Sequence, residues 1–276
     1  MVIDLVKRFI QIVDEKGMNA AIDSTVMFLF SALGLRHYVD ILRAKKKVSK
    51  LSDATDNAIH INYNSNSASD LARLCDEYGT DKGELTPDSN PYPWASHNYS
   101  DFYELIFSSR RSSVESLLEC GIGTPNTEFP SSMGEEANPG ASLRVWRDYF
   151  PNAEVTGIDI DPEVMFSEDR INTYCVDQTS EESIKEFLDS QNGDFDIIID
   201  DGLHQYHANV SLFENTIDRL SEDGTYVIED VSYDNLDKYQ EYFTSGLEQY
   251  HTKFIDLENP NRPYRKQDRL IMITPT

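Results

Sequence analysis

Residues 195–231 read FDIIIDDGLHQYHANVSLFENTIDRLSEDGTYVIEDV, and their patterning decides the fold. One apolar run, Ile197–Ile199, stops at Asp200-Asp201-Gly202; a second, Tyr226–Ile228, stops at Glu229-Asp230. Between them HANVSLFENTIDRL (207–220) spaces its apolar residues as a helix does. Strands that are apolar throughout, alternating with amphipathic helices, belong to a parallel sheet covered on both faces. The alternation continues outward. SLLECG (116–121), EVTGIDI (154–160) and INTYCVD (171–177) read as strands, SLRVWRDYF (142–150) and EESIKEFLDS (181–190) as helices. After a helix over about 235–250, TKFIDLE (252–258) and RLIMITP (269–275) have no helix between them, so they are expected to pair as an antiparallel hairpin. The expected fold is α/β, with five parallel strands closed by that hairpin.

The rest of the chain bounds this domain. It has 276 residues, 39% of them hydrophobic and 11% aromatic, enough for a sizeable core. Its 49 acidic against 24 basic residues give a net charge of −25, which phosphate backbones would repel, so nucleic-acid binding is excluded as a reading. Cys75, Cys120 and Cys175 lack metal-ligand spacing and are odd in number, which points to a reducing, cytoplasmic setting. No basic lead into an apolar run opens the chain, so no secretory signal is read. Residues 1–50 carry nine basic and five acidic residues and read as an N-terminal helical segment, a candidate surface for homo-oligomer formation. Within it Ser24–Leu35 is almost wholly apolar, but a helix of that length reaches only about 18 Å, too short for stable membrane insertion. Residues 51–69, rich in Asn, Ser and Asp, read as a linker, and 70–276 as the main domain.

In an open α/β sheet, ligands bind beyond the carboxyl ends of the strands. The first strand runs into Gly121-Ile122-Gly123, a turn a ligand can approach closely, followed by Thr124 and a polar inserted loop to Pro139. The second ends at Asp159, the place of an acid that accepts from ribose hydroxyls, and the third at Asp177-Gln178, suited to an adenine edge. Together these describe an adenosine-containing cofactor. S-adenosylmethionine fits better than a dinucleotide, because the G-x-G-x-x-G fingerprint is incomplete. Asp200, Asp201, Glu229 and Asp230 converge if their strands are neighbours, and a hard divalent cation such as Mg²⁺ relieves the repulsion of such a cluster. His204 lies near a helix start, placed for a base; His207 is its rival. A divalent cation lowers the pKa of a coordinated hydroxyl and a base takes its proton, which makes an alcohol nucleophilic enough to accept a methyl group.

DLARLCDEYGTDKG (70–83), HNYSDFYELIF (97–107), LLECGIG (117–123), GASLRVWRDYFPNAEVTGIDIDP (140–162), DIIIDDGLH (196–204) and GTYVIEDV (224–231) follow one another in an order that resembles the class I S-adenosylmethionine-dependent methyltransferases. The likeness is to the metal-dependent macrolide sugar O-methyltransferases of the mycinamicin VI and macrocin type. It implies a Rossmann-like sheet, Asp201, Glu229 and Asp230 as metal ligands, and His204 as general base. Cofactor contacts are implied for Thr80, Lys82, Glu119, Gly121, Gly123, Asp159, Asp177, Gln178 and Asp200, with Lys82 pairing with the methionine carboxylate. His97 and Tyr99 would help to close the site, and Tyr233 and Tyr264 are candidates for an acceptor pocket. The implied acceptor is a sugar or polyol with adjacent hydroxyls. Two other readings are a nicotinamide-dependent oxidoreductase on the same scaffold and a non-catalytic cofactor-binding protein.

Overall fold

The computed structural model describes residues 58–62, 67–84, 90, 92, 94, 96, 97, 99–258 and 269–276. The segment 1–50, with its apolar stretch, and Tyr264 lie outside the described residues.

The strands are β1 (Ala58–Asn62), β2 (Ser116–Cys120), β3 (Glu154–Asp159), β4 (Ser167–Glu168), β5 (Ile171–Cys175), β6 (Phe195–Asp200), β7 (Leu220–Ile228), β8 (Tyr250–Glu258) and β9 (Arg269–Pro275). They form one sheet in the order β1-β8-β9-β7-β6-β2-β3-β5-β4. The five strands read from the sequence, β2, β3, β5, β6 and β7, are mutually parallel. The closing hairpin forms as expected: β9 lies between β7 and β8 and is antiparallel to both.

Alternation of side chains across the strands divides the core in two. Leu117, Ile197, Ile199 and Val227 pack on one face, against α1 (Asp70–Tyr78), α2 (Tyr99–Phe107) and α3 (Ala141–Tyr149). Leu118, Ile198, Tyr226 and Ile228 face α4 (Glu181–Asp189), α5 (Tyr206–Thr216) and α6 (Leu236–Thr244). Ile197, Ile198 and Ile199 are all fully buried, which is why that stretch is apolar at every position. Local signals set the helix ends: Ser69 and Ser180 cap α1 and α4 by accepting backbone N–H bonds, and Gly79 ends α1 in the left-handed conformation.

Residues 58–62, read as linker, pair with β8 as a parallel edge strand; their period-2 pattern is only AIHIN, too short to stand out from polar flanks. The two-residue β4 was not anticipated. Helix α6 stops at Thr244 rather than near 250, and α5 gives way at Ile217 to a single 3-10 turn. No helix among the described residues is long and apolar enough to cross a membrane.

From β2 the chain winds outward through β3 to β5, then returns to β6 on the other side of β2. The carboxyl ends of β2 and β6 therefore part at a topological switch point, where a crevice opens. There the Asp201 N–H donates to the Cys120 carbonyl at 2.9 Å, and the Gly121 N–H to that of Ile158 at 2.8 Å.

Candidate active site

A cavity of about 520 Å³ occupies the crevice. Gly121, Gly123, Asp159, Asp177, Gln178, Asp201, His204, Glu229 and Asp230 all line it, as do Thr80 and Lys82 from the loop after α1. The glycine turn is built for close approach. Gly121 sits at φ +97°, and a Cβ there would lie 2.2 Å from the Asp201 carbonyl oxygen. Asp159 accepts from the Ile122 N–H at 2.8 Å and the Asp161 N–H at 3.0 Å, and burial raises its pKa. Each carboxylate oxygen has a second lone pair, so the carboxylate is oriented without being saturated. Asp161 instead caps the turn that follows, accepting from the Glu163 N–H and the Thr124 hydroxyl.

Four residues expected to touch a cofactor are engaged with the protein itself. Glu119 is fully buried behind the wall, accepting from Ser142 at 2.7 Å and Trp146 at 3.1 Å. It shares the face of Leu117, so its side chain turns to α3 rather than to the strand end. Asp200 is likewise buried, accepting from Gln178 at 2.6 Å and Asn209 at 2.9 Å. Gln178 lines the cavity, but its carbonyl oxygen also accepts the Leu203 N–H at 2.9 Å, making its amide a strut between two loops. The Lys82 ammonium bonds Asp201 and Glu229 at 2.6 Å each, with Glu119 at 3.4 Å.

The acids at the ends of β6 and β7 do converge. One donor atom each of Asp201, His204 and Asp230 lies within 4.8 Å of the others. Their oxygens are divided: Asp201 gives Oδ2 to Lys82, while its Oδ1 is 3.9 Å from His204 Nδ1. Asp230 accepts from Tyr99 through Oδ1 at 2.6 Å, while its Oδ2 is 3.9 Å from His204 Nε2. Glu229, expected as a third carboxylate ligand, is beside this group but has both oxygens taken, by Lys82 and by Tyr103 at 2.6 Å. The His204 Nδ1 is buried without a hydrogen-bond partner among the described residues. His204 and Asp230 also hold left-handed backbone conformations, φ +55° and +54°, of the strained kind that collects at functional sites.

One ammonium cannot balance two buried carboxylates and the partly exposed Asp201. Burial lifts Glu119, Asp201 and Glu229 above the usual carboxylate range despite Lys82. Burial also works against the Lys82 ammonium, but Asp201, Glu229 and Glu119 outweigh it and keep it charged. Asp230 is held below its usual value: His97, His204 and the Tyr99 bond overcome its burial. An excess of buried negative charge beside an unpartnered imidazole nitrogen fits a divalent cation.

Other candidates fall away or come into view. His207 is exposed and lies outside the cavity lining; Tyr233 is packed in the core. The sequence reading missed Tyr103, although it stands one helical turn after Tyr99, on the same face, and α2 brings both hydroxyls to the ends of β7. It also missed Tyr92 and Trp94, whose stacked rings, 5.4 Å apart, line the cavity.

No family model matches the chain. Among curated proteins, it is similar to 8-demethyl-8-alpha-L-rhamnosyl tetracenomycin-C 2'-O-methyltransferase of Streptomyces olivaceus, 32% identical over 58% of this chain and 37% of that protein. It is 33% identical to demethylmacrocin O-methyltransferase of Streptomyces fradiae, over 57% of this chain and 38% of that protein. It is 34% identical to mycinamicin VI 2''-O-methyltransferase of Micromonospora griseorubida, over 49% and 32%. The chain thus spans less than half the length of these relatives. Among solved structures, the MycE methyltransferase from the mycinamycin biosynthetic pathway, in complex with Mg and SAH, superimposes with a TM-score of 0.53 at 24% identity, over 75% of this chain and 53% of that one. The chain shares its fold with that methyltransferase, and the resemblance to O-methyltransferases of the mycinamicin VI and macrocin type is borne out.

Proposed function

We propose that the chain is a divalent-metal-dependent O-methyltransferase, moving a methyl group from S-adenosylmethionine to a hydroxyl of a sugar or glycosylated small molecule in natural product biosynthesis. One observation carries this reading: a cofactor-sized crevice at the glycine turn opens directly onto the Asp201–His204–Asp230 cluster. The relatives' shared O-methyltransferase names and the Mg and SAH of the MycE complex support it.

The Gly121 turn would take the cofactor's backbone-facing side, with Asp159 accepting from its ribose and Asp177 beside the base. Asp201, Asp230 and Glu229 would hold the cation, Glu229 through the oxygen that accepts from Lys82 in its absence. When bound, the cation acidifies an acceptor hydroxyl and the sulfonium cofactor offers an electrophilic methyl group. His204 receives the acceptor's proton, and the imidazolium so formed stands between two carboxylates 3.9 Å away on either side. Tyr92 and Trp94 offer apolar ring faces to the acceptor and help to exclude water. The test is incubation with methyl-labelled S-adenosylmethionine and a panel of glycosides, with Mg²⁺ and with chelator. Label in a sugar hydroxyl only with Mg²⁺ is the expected result; label transfer unaffected by chelator overturns the metal role.

A further inference from the structure

The Lys82 side chain is 4% exposed, and its loop is fixed from both sides. The His97 N–H donates to the Asp81 carbonyl at 2.6 Å and the Ser100 N–H to that of Lys82 at 2.8 Å. Gly83 packs so closely on α1 that a Cβ there would lie 2.4 Å from that of Cys75. A lysine anchored in this way is not a solvated turn residue. Its ammonium bridges Asp201 Oδ2 and Glu229 Oε2, on neighbouring strands, at 2.6 Å from each. The ammonium thus takes up one oxygen of each of two carboxylates on neighbouring strands.

We propose that Lys82 is the resident counter-cation of this acid cluster, and that a divalent cation must displace its ammonium to engage Asp201 and Glu229 together. The inference rests on the metal-site reading above. Lys82 then has two effects. It keeps the cluster folded and partly neutral when no metal is bound, and it lowers metal affinity by adding a positive charge at the site. Deleting one positive charge a few ångströms from a divalent ion strengthens binding by a large factor at the effective dielectric of a partly buried site, on the order of tenfold or more.

The experiment is calorimetric titration of the full chain with Mn²⁺, without cofactor, paired with thermal melts in chelator and in Mn²⁺. Lys82→Met should bind Mn²⁺ roughly tenfold or more tighter than wild type. It should melt lower in chelator and gain more from Mn²⁺. Lys82→Arg, which keeps the charge, should bind no tighter than wild type. If Lys82→Met does not fold, Lys82→Met with Glu119→Gln removes one charge of each sign, and should bind Mn²⁺ more tightly than Glu119→Gln alone. Wild-type binding that is unchanged or weakened by loss of the lysine charge overturns the proposal and returns Lys82 to a ligand-carboxylate role, to be seen as lost S-adenosylmethionine affinity. Absence of Mn²⁺ binding in every variant and in wild type overturns the metal-site reading itself, and the proposal with it.

Discussion

The phenol of Tyr99 donates to Oδ1 of Asp230 at 2.6 Å, tying α2 to the carboxyl end of β7. The same ring stacks on His97 at 4.9 Å between centroids, and His97 Nδ1 is 3.5 Å from that oxygen. Tyr99→Phe keeps the ring and removes the bond. A hydrogen bond to a charged group contributes about 1.5–3 kcal/mol, so a measurable fall in Tm is expected. Mn²⁺ affinity should fall a few-fold as Asp230 gains rotamer freedom. A variant with wild-type Tm and Mn²⁺ isotherm would show that the bond positions nothing.

Asp200 and Asp230 titrate in opposite senses. Burial pushes Asp200 up to about 6 despite its bonds from Asn209 and Gln178. A carboxyl raised on folding favours the folded state below its unfolded value near 4, and that contribution is lost as pH rises through about 6. Asp230, held low, contributes stability that is present above its unfolded value and is lost as pH falls through its folded one. Asp200→Asn should therefore lose more stability relative to wild type at pH 4.5 than at pH 7.5, by about 2 kcal/mol. Urea melts at the two pH values decide this. An equal loss at both would mean that Asp200 is ionised throughout.

Gly121 and Gly123 both have positive φ, at +97° and +89°, yet only Gly121 is crowded. An added Cβ at Gly123 meets nothing nearer than Met133 at 3.5 Å. Gly123→Ala should cost about 1–2 kcal/mol of backbone strain, and Gly121→Ala appreciably more because the Asp201 carbonyl must move. Denaturant unfolding of the two variants, with cofactor titrations on whatever folds, checks the order. Equal losses would remove the close approach as an explanation for that glycine.

Asp201→Asn or Asp230→Asn should abolish metal-stimulated turnover while leaving S-adenosylmethionine affinity within a few-fold. His204→Ala should lower turnover by roughly 10²–10⁴, whereas His207→Ala should leave it unchanged. Steady-state rates across a Mg²⁺ series separate these effects. Full activity of both aspartate variants in chelator would remove the metal site from the mechanism.

The parallel core was legible because Ile197–Ile199 and Tyr226–Ile228 are buried on both faces and therefore apolar throughout. The acids at their ends were legible because strand ends are where an α/β sheet places its ligands. Two kinds of feature were not. The edge strand Ala58–Asn62 needs no continuous apolar run, so a short run in polar flanks looked like linker. The partners chosen by acids and amides depend on which way a side chain leaves the backbone. That is why Glu119, Asp200, Gln178 and Lys82, expected at the cofactor, prove to be engaged with protein groups. Tyr103 was recoverable from its spacing to Tyr99, but only once α2 was known to face the acids.

On the proposed function, this crevice takes a sulfonium nucleoside beside a divalent cation. Calorimetric titration of the full chain with S-adenosylmethionine and, separately, with NADH, each with Mg²⁺ and with chelator, tests it most directly. Saturable binding of S-adenosylmethionine and none of NADH is the predicted result. Binding of NADH with no response to S-adenosylmethionine would contradict the methyltransferase reading while leaving the fold intact.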